Sequence, residues 1–216
     1  MVEIADPYPL LIVAFAVFLV PFLIVAVTAF IKISVVLFIL RSALAVQQTP
    51  PNIVLYAVAL VLSAYVMAPV GAGMQQALAD GPAITGDLVD IAGTVERAVE
   101  PLRAFLMRYA GEEHRVFFLA STEELWPPEV REGLEDDDMI VLIPAFITSE
   151  LTRAFEIGIL LYLPFIVIDL LITNILTAMG MMMVSPTVIS LPFKLLLFVA
   201  ADGWTRLTHG LVLSYV

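Results

Sequence analysis

Apolar residues gather in four long stretches, at about 10–46, 51–70, 140–179 and from 187 to the C-terminus. They come as two pairs, each joined by a short link, with a polar segment between the pairs. Gln47-Gln48-Thr49-Pro50-Pro51 joins the first pair. Thr49 is the expected N-cap there, and proline suits a first helical turn because its missing N–H would have no partner anyway. Gly180 to Pro186 joins the second pair, with the glycine expected to end one helix in the left-handed region and the proline to open the next. The pattern predicts an all-α fold: two long kinked helical hairpins of membrane type flanking an acidic, partly helical insert. The corresponding divisions are 1–70, 71–139 and 140–216.

The lengths argue against plain membrane spans. A helix of about 35 residues is about 50 Å long, whereas the hydrocarbon core is about 30 Å thick. Pro21 in the first stretch, and Gly158 and Pro164 in the third, are the expected points of kinking or breakage. Helices that kink and pack on protein outside the bilayer fit better than four simple spans. In the insert, Val95, Val99, Leu102, Phe105, Leu106 and Tyr109 recur at helical spacing, opposite Glu96, Arg97, Glu100, Arg103 and Arg108. Pro101 predicts a break or restart within that helix. Ser121-Thr122-Glu123-Glu124 reads as a capping box opening another short helix, and Glu135-Asp136-Asp137-Asp138 as a solvated loop.

Composition sharpens the class. Hydrophobic residues are 61% of 216 and charged ones 14%, with a mean hydropathy of +1.01. A soluble domain carries roughly 45–50% apolar and about 25% charged residues. Lipid or partner chains must therefore cover apolar surface that a single domain cannot hide. No cysteine is present, which excludes disulfides and thiolate chemistry. His114 and His209 have no ligand-like spacing, so no metal site or cofactor is expected. Of the net charge of −11, residues 71–138 carry −10, from fifteen acids and five arginines. Such a segment repels nucleic acid and anionic lipid, and it suits the non-cytoplasmic side of a membrane. No cleavable signal peptide is expected, because Glu3 and Asp6 give the N-terminus the wrong charge.

Lys32, Glu150, Arg153, Glu156, Asp169 and Lys194 lie inside otherwise apolar helices, where an unpaired charge costs several kcal/mol. Arg153 stands three residues from both Glu150 and Glu156, so helical spacing allows it to bridge the two. Lys32, Asp169 and Lys194 have no comparable neighbour, and their counter-charges must come from another helix or another copy. Asp202 and Arg206 stand at i,i+4. The six charges read as structural pairs between packed subunits, as the lining of an ion or proton path, or as side chains snorkelling to an interface. No nucleophile, metal cluster or phosphate loop accompanies them, so no catalytic residue is assigned.

Met179-Gly180-Met181-Met182-Met183 places four methionines at the tip of the second hairpin. Methionine is flexible and polarizable, and it re-packs around changing partners. Near a symmetry axis, several copies of such a turn would form a soft apolar constriction. An ordinary buried apolar turn is the plainer alternative.

These blocks together resemble the SctR/FliP family, the R subunit of the type III secretion export gate. The resemblance is carried by Gln47-Gln48-Thr49-Pro50-Pro51-Asn52, by Pro144-Ala145-Phe146 with 149–158, and by Leu163-Pro164-Phe165 with Ile168-Asp169. Residues 179–186, Ile189-Ser190-Leu191-Pro192-Phe193-Lys194 and Asp202-Gly203-Trp204 complete it. The wording is more similar to the virulence injectisome branch than to the flagellar one. The resemblance implies a homopentamer assembled with the S and T export-gate subunits in the bacterial inner membrane, projecting into the periplasm beneath the inner rod proteins. It implies contact with other export-apparatus components, secreted polypeptides and membrane lipid, and none with nucleic acid. Met179, Met181, Met182 and Met183 would then be the pore gasket. The expected function is a passive gated conduit for unfolded secreted proteins rather than an enzyme. An ion or proton-coupled membrane transporter subunit is the alternative, and a membrane-embedded hydrolase a more distant one.

Overall fold

The computed structural model describes residues 15, 18–19, 21–81, 88–181 and 183–216, and their regular structure is entirely helical. After a short α1, helical over 21–26, come α2 (Phe30–Ala43), α3 (Asn52–Ala79), α4 (Leu88–Tyr109) and α5 (Glu112–Leu125). They are followed by a single turn, α6 (Pro128–Arg131), then by α7 (Met139–Ala178), α8 (Pro186–Ala200) and α9 (Gly203–Leu213). The chain is all-α, as its periodicity predicts.

The centre of the bundle is α2, apolar on nearly every face and buried at Lys32, Ile33, Ser34, Val36, Leu37, Leu40 and Ala43. A helix that is hydrophobic all round has to be enclosed. It runs against α7, with α3 alongside, while α4 and α5 cover the first half of α7. Leu142, Ala145, Phe146 and Ala154 of α7 and Leu106 of α4 complete the core. The outer faces are left uncovered. Phe155, Ile159, Leu160, Leu163, Leu170 and Leu171 of α7 are exposed, as are Ile53, Leu60, Val61 and Tyr65 of α3. Both helices are long and apolar enough to cross a membrane, and α8 with α9 would make a third span, bent by 62°.

Several local expectations give way to packing. The 40-residue α7 is continuous through Gly158 and Pro164, and α4 through Pro101, so none of these residues breaks its helix. In the first stretch the described helix is interrupted at 27–29, while the residue before Pro21 lies outside the described residues. Thr49 does not cap α3: the N-cap is Pro51, and Arg41 closes the link instead, donating to Pro50 O at 3.3 Å and to Asn52 Oδ1 at 2.5 Å. The Ser121-Thr122 pair lies inside α5, where the hydroxyls donate back to Phe117 O and Leu119 O. Asp136 leaves the solvated acidic run to pair with Arg115 at 2.5 Å, tying the end of the insert to α5. Between Asp202 and Arg206 the contact is the backbone bond that starts α9, not an ion pair.

Gly158 serves close approach rather than flexibility. A Cβ built there would stand 2.5 Å from Ile39 Cδ1 and 3.0 Å from Ile39 Cγ2, so the absence of a side chain lets α2 settle onto α7. Gly158→Leu should therefore lower stability by about 1–3 kcal/mol through overpacking, and Gly158→Ala by less, since Ile39 can partly swing aside. Thermal unfolding of the detergent-extracted protein tests this ordering, and an unchanged midpoint for the leucine variant would refute the close packing of α2 on α7.

Candidate functional site

Two charge clusters fix α7 in place, one at each end of α2. In the first, Glu150 of α7 has no exposed surface. Lys32 of α2 approaches its Oε2 to 3.5 Å, and Arg153 reaches Oε1 at 3.1 Å. The Tyr215 hydroxyl, from the C-terminus, also donates to Oε2. Lys32 Nζ in addition lies 3.4 Å from the centre of the Tyr215 ring, a cation–π contact that spares it an unpaired face. Tyr215 is itself held through its backbone carbonyl, which accepts from Tyr109 Oη at 2.6 Å. Its ring packs with Phe105 and Tyr109. Next to this cluster, Ser149 Oγ accepts from Gly111 N at 2.8 Å and donates to Ala145 O at 2.7 Å. His114 Nδ1 lies 3.0 Å from the same oxygen, so the turn between α4 and α5 is pinned onto α7.

The second cluster closes the hairpin of α7 and α8. Lys194 of α8, 2% exposed, donates to Asp169 Oδ2 at 2.6 Å and to Ala43 O at 3.1 Å. Ser190, one turn earlier, donates to Asp169 Oδ1 at 2.6 Å. Ala43 is the last residue of α2, so Lys194 answers a helix-terminal carbonyl as well as a carboxylate. Arg153 repeats this device by donating to the carbonyl of Tyr109, the last residue of α4, at 2.8 Å. Cations are favoured at helix C-termini, where unpaired carbonyls concentrate negative partial charge.

The pairing corrects the sequence reading at one point. Arg153 joins Glu150 but not Glu156, which is exposed and has no ion pair among the described residues. Lys32, Asp169 and Lys194 meet counter-charges on other helices of the same chain, one of the two sources expected for them. Sequence reasoning missed Tyr109, Tyr215, Ser190 and the carbonyl of Ala43. Ser190 had a local signal, standing four residues before Lys194 on one face of α8. Tyr215 and Ala43 lie 65 and 151 residues from the groups they meet, beyond any helical periodicity.

Below the second clamp, α7 ends in a Schellman motif. Gly180, at φ +73°, donates to Thr177 O at 3.0 Å, and Met181 donates to Leu176 O at 2.9 Å. Ser185 then N-caps α8, with Pro186 in its first turn. This tight reversal throws the methionines outward: Met179 is 66% and Met183 fully exposed, and Met181 is 42% exposed. Met182 lies outside the described residues. From Leu170 to Phe193 no residue is charged, so a soft apolar tip stands on a rigid, ion-paired stem.

Comparison with known proteins agrees with this architecture. The FliP family pattern matches residues 12–211. The Yop proteins translocation protein R of Yersinia pestis is 52% identical over 215 residues, covering 100% of this chain and 99% of that protein. Probable translocation protein y4yL of Sinorhizobium fredii is 56% identical over 192 residues, 89% of this chain and 86% of that protein. Virulence protein YscR of Salmonella typhimurium is 44% identical over 215 residues, 97% of each. A match that runs from the first apolar stretch into α9, and so takes in Lys32, Glu150 and Arg153, the Asp169–Lys194 clamp and the methionine turn, places this chain in the FliP family.

Proposed function

We propose that this chain is the R-type, pore-forming subunit of a type III secretion export gate, a passive conduit through which unfolded secreted proteins cross the bacterial inner membrane. The observation that carries the reading is the outward methionine turn on a clamped hairpin. Family membership and relatives named as translocation proteins support it. Five copies, with the S and T subunits, would cover the exposed apolar faces of α3, α7 and α8. Glu156, unpaired on the bare face of α7, would meet its counter-charge on such a neighbour. Met179, Met181, Met182 and Met183 from successive copies would close the pore. Thioether side chains exclude ions by offering them no ligands, yet they yield to a passing chain because they re-pack at little cost. A proton or ion transporter needs carboxylates on a water path, and Glu150 is instead sealed beneath Lys32, Arg153 and Tyr215.

Replacing Met181, Met182 and Met183 together with glycine should make the assembled gate leak small ions while secretion of protein persists. Conductance in planar bilayers reads the leak directly, and a background-level current from correctly assembled particles would rule out the gasket. The clamps make a separate claim. Asp169→Asn leaves the buried ammonium of Lys194 without its charged partner; because Asp169 itself is 37% exposed, the cost is about 1–3 kcal/mol, and the yield of assembled particle should fall. Asp169→Asn combined with Lys194→Met removes both charges and should recover much of that yield. If the double variant assembles no better than the single one, the pair is not what holds the hairpin closed.

A further inference from the structure

The tip of the first hairpin rests beside the foot of the second. Val46, Gln47, Gln48 and Thr49 on one side, and Ser185 and Thr187 on the other, line a cleft of about 770 Å3. The cleft begins two residues beyond Met183, so it adjoins the methionine turn. Among its lining residues none is charged. Gln47, Gln48 and Thr49 are exposed, and their side chains make no hydrogen bond among the described residues. The neighbouring polar groups are already committed: Arg41 to the link and Ser190 and Lys194 to the clamp.

Two adjacent free carboxamides facing hydroxyls across an uncharged cleft suit one class of ligand. Every residue of an extended chain offers one N–H and one C=O whatever its side chain, and each glutamine amide supplies both a donor group and an acceptor. A charged lining would discriminate, since juxtaposed like charges cost several kcal/mol and opposite charges retain their partner. An uncharged amide lining grips acidic and basic segments alike. The volume lies within the range of about 300–1,000 Å3 typical of small-molecule sites, enough for a few residues of extended peptide. We propose that this cleft binds the main chain of an extended polypeptide segment, with Gln47 and Gln48 pairing to its backbone amides just beside the methionine seal. The proposal rests on the conduit reading above, and it adds a second, polar contact zone for the secreted chain.

The test uses the assembled apparatus in bacterial cells. Secretion is stalled with a secreted protein fused to a stably folded domain, and photoreactive benzoylphenylalanine replaces Gln48 in one strain and Met183 in another. Crosslinks to the stalled protein from both positions are expected. A crosslink from 183 alone overturns the cleft while leaving the conduit standing. Failure at both positions overturns the conduit, and the cleft with it. A position-48 crosslink only to a sister subunit also overturns the proposal, because the occupant is then a wall of the complex. In addition, Gln47→Ala with Gln48→Ala should slow secretion about three- to tenfold at unchanged particle yield, the loss expected from about one net hydrogen bond. An unchanged rate refutes the role of the carboxamides.

Discussion

A carboxylate cut off from water has to be answered by the protein, and Glu150 is answered from three elements at once. Lys32 comes from α2, Arg153 from one turn along α7, and Tyr215 from the C-terminus. Removing an ion from water costs several kcal/mol even after relaxation, so any packing that separates these groups is strongly disfavoured. A shift of one residue along α2 would carry Lys32 about 100° around the helix and away from the carboxylate. Apolar ridges slide past one another at modest cost, whereas a buried charge pair does not. The cluster therefore supplies the register that a nearly featureless apolar helix pair lacks.

The second clamp extends that register to the far end of α2. Lys32 and Ala43 are eleven residues apart, about 16 Å along the helix, and α7 or its partner α8 is fastened at both points. Between the fasteners, Gly158 lets α2 lie close against α7. Lys194 also answers the helix-terminal carbonyl of Ala43, and Arg153, the second cation on Glu150, answers that of Tyr109, so each of these two side chains neutralises a carboxylate and completes a cap. The stem of the second hairpin is consequently stiff, and the unfastened Schellman turn beyond it is where adjustment can occur.

Much of this was legible along the chain, and what was not has a common cause. Helix class, the two paired stretches and the turn at Gly180 follow from periodicity and from residues whose conformational preferences are local. A proline inside a helix costs about 3 kcal/mol through a missing hydrogen bond and a local clash, yet Pro164 does not break α7, nor Pro101 α4. Arg153 was expected to share itself between Glu150 and Glu156, but burial separates the two acids: one faces the core and the other the bare side of α7. The partners of Lys32 and Lys194 were out of reach, since the groups that meet are distant in sequence and only the docking of α2 on α7 and α8 brings them together.

Charge is distributed so that stiffness and softness occupy different places. Every buried ion of the second hairpin lies in its stem, and none lies between Asp169 and Lys194. At the exposed turn, a single charged residue would carry its own hydration shell into any constriction built there and keep it wet. Methionine, alanine and glycine allow such a constriction to dewet, which blocks ions without a rigid plug. Behind the turn that exposes these methionines, Lys194, Ser190 and Asp169 are bound to one another and to the end of α2. Ion pairing in the stem and an uncharged, apolar tip thus occupy separate parts of one hairpin.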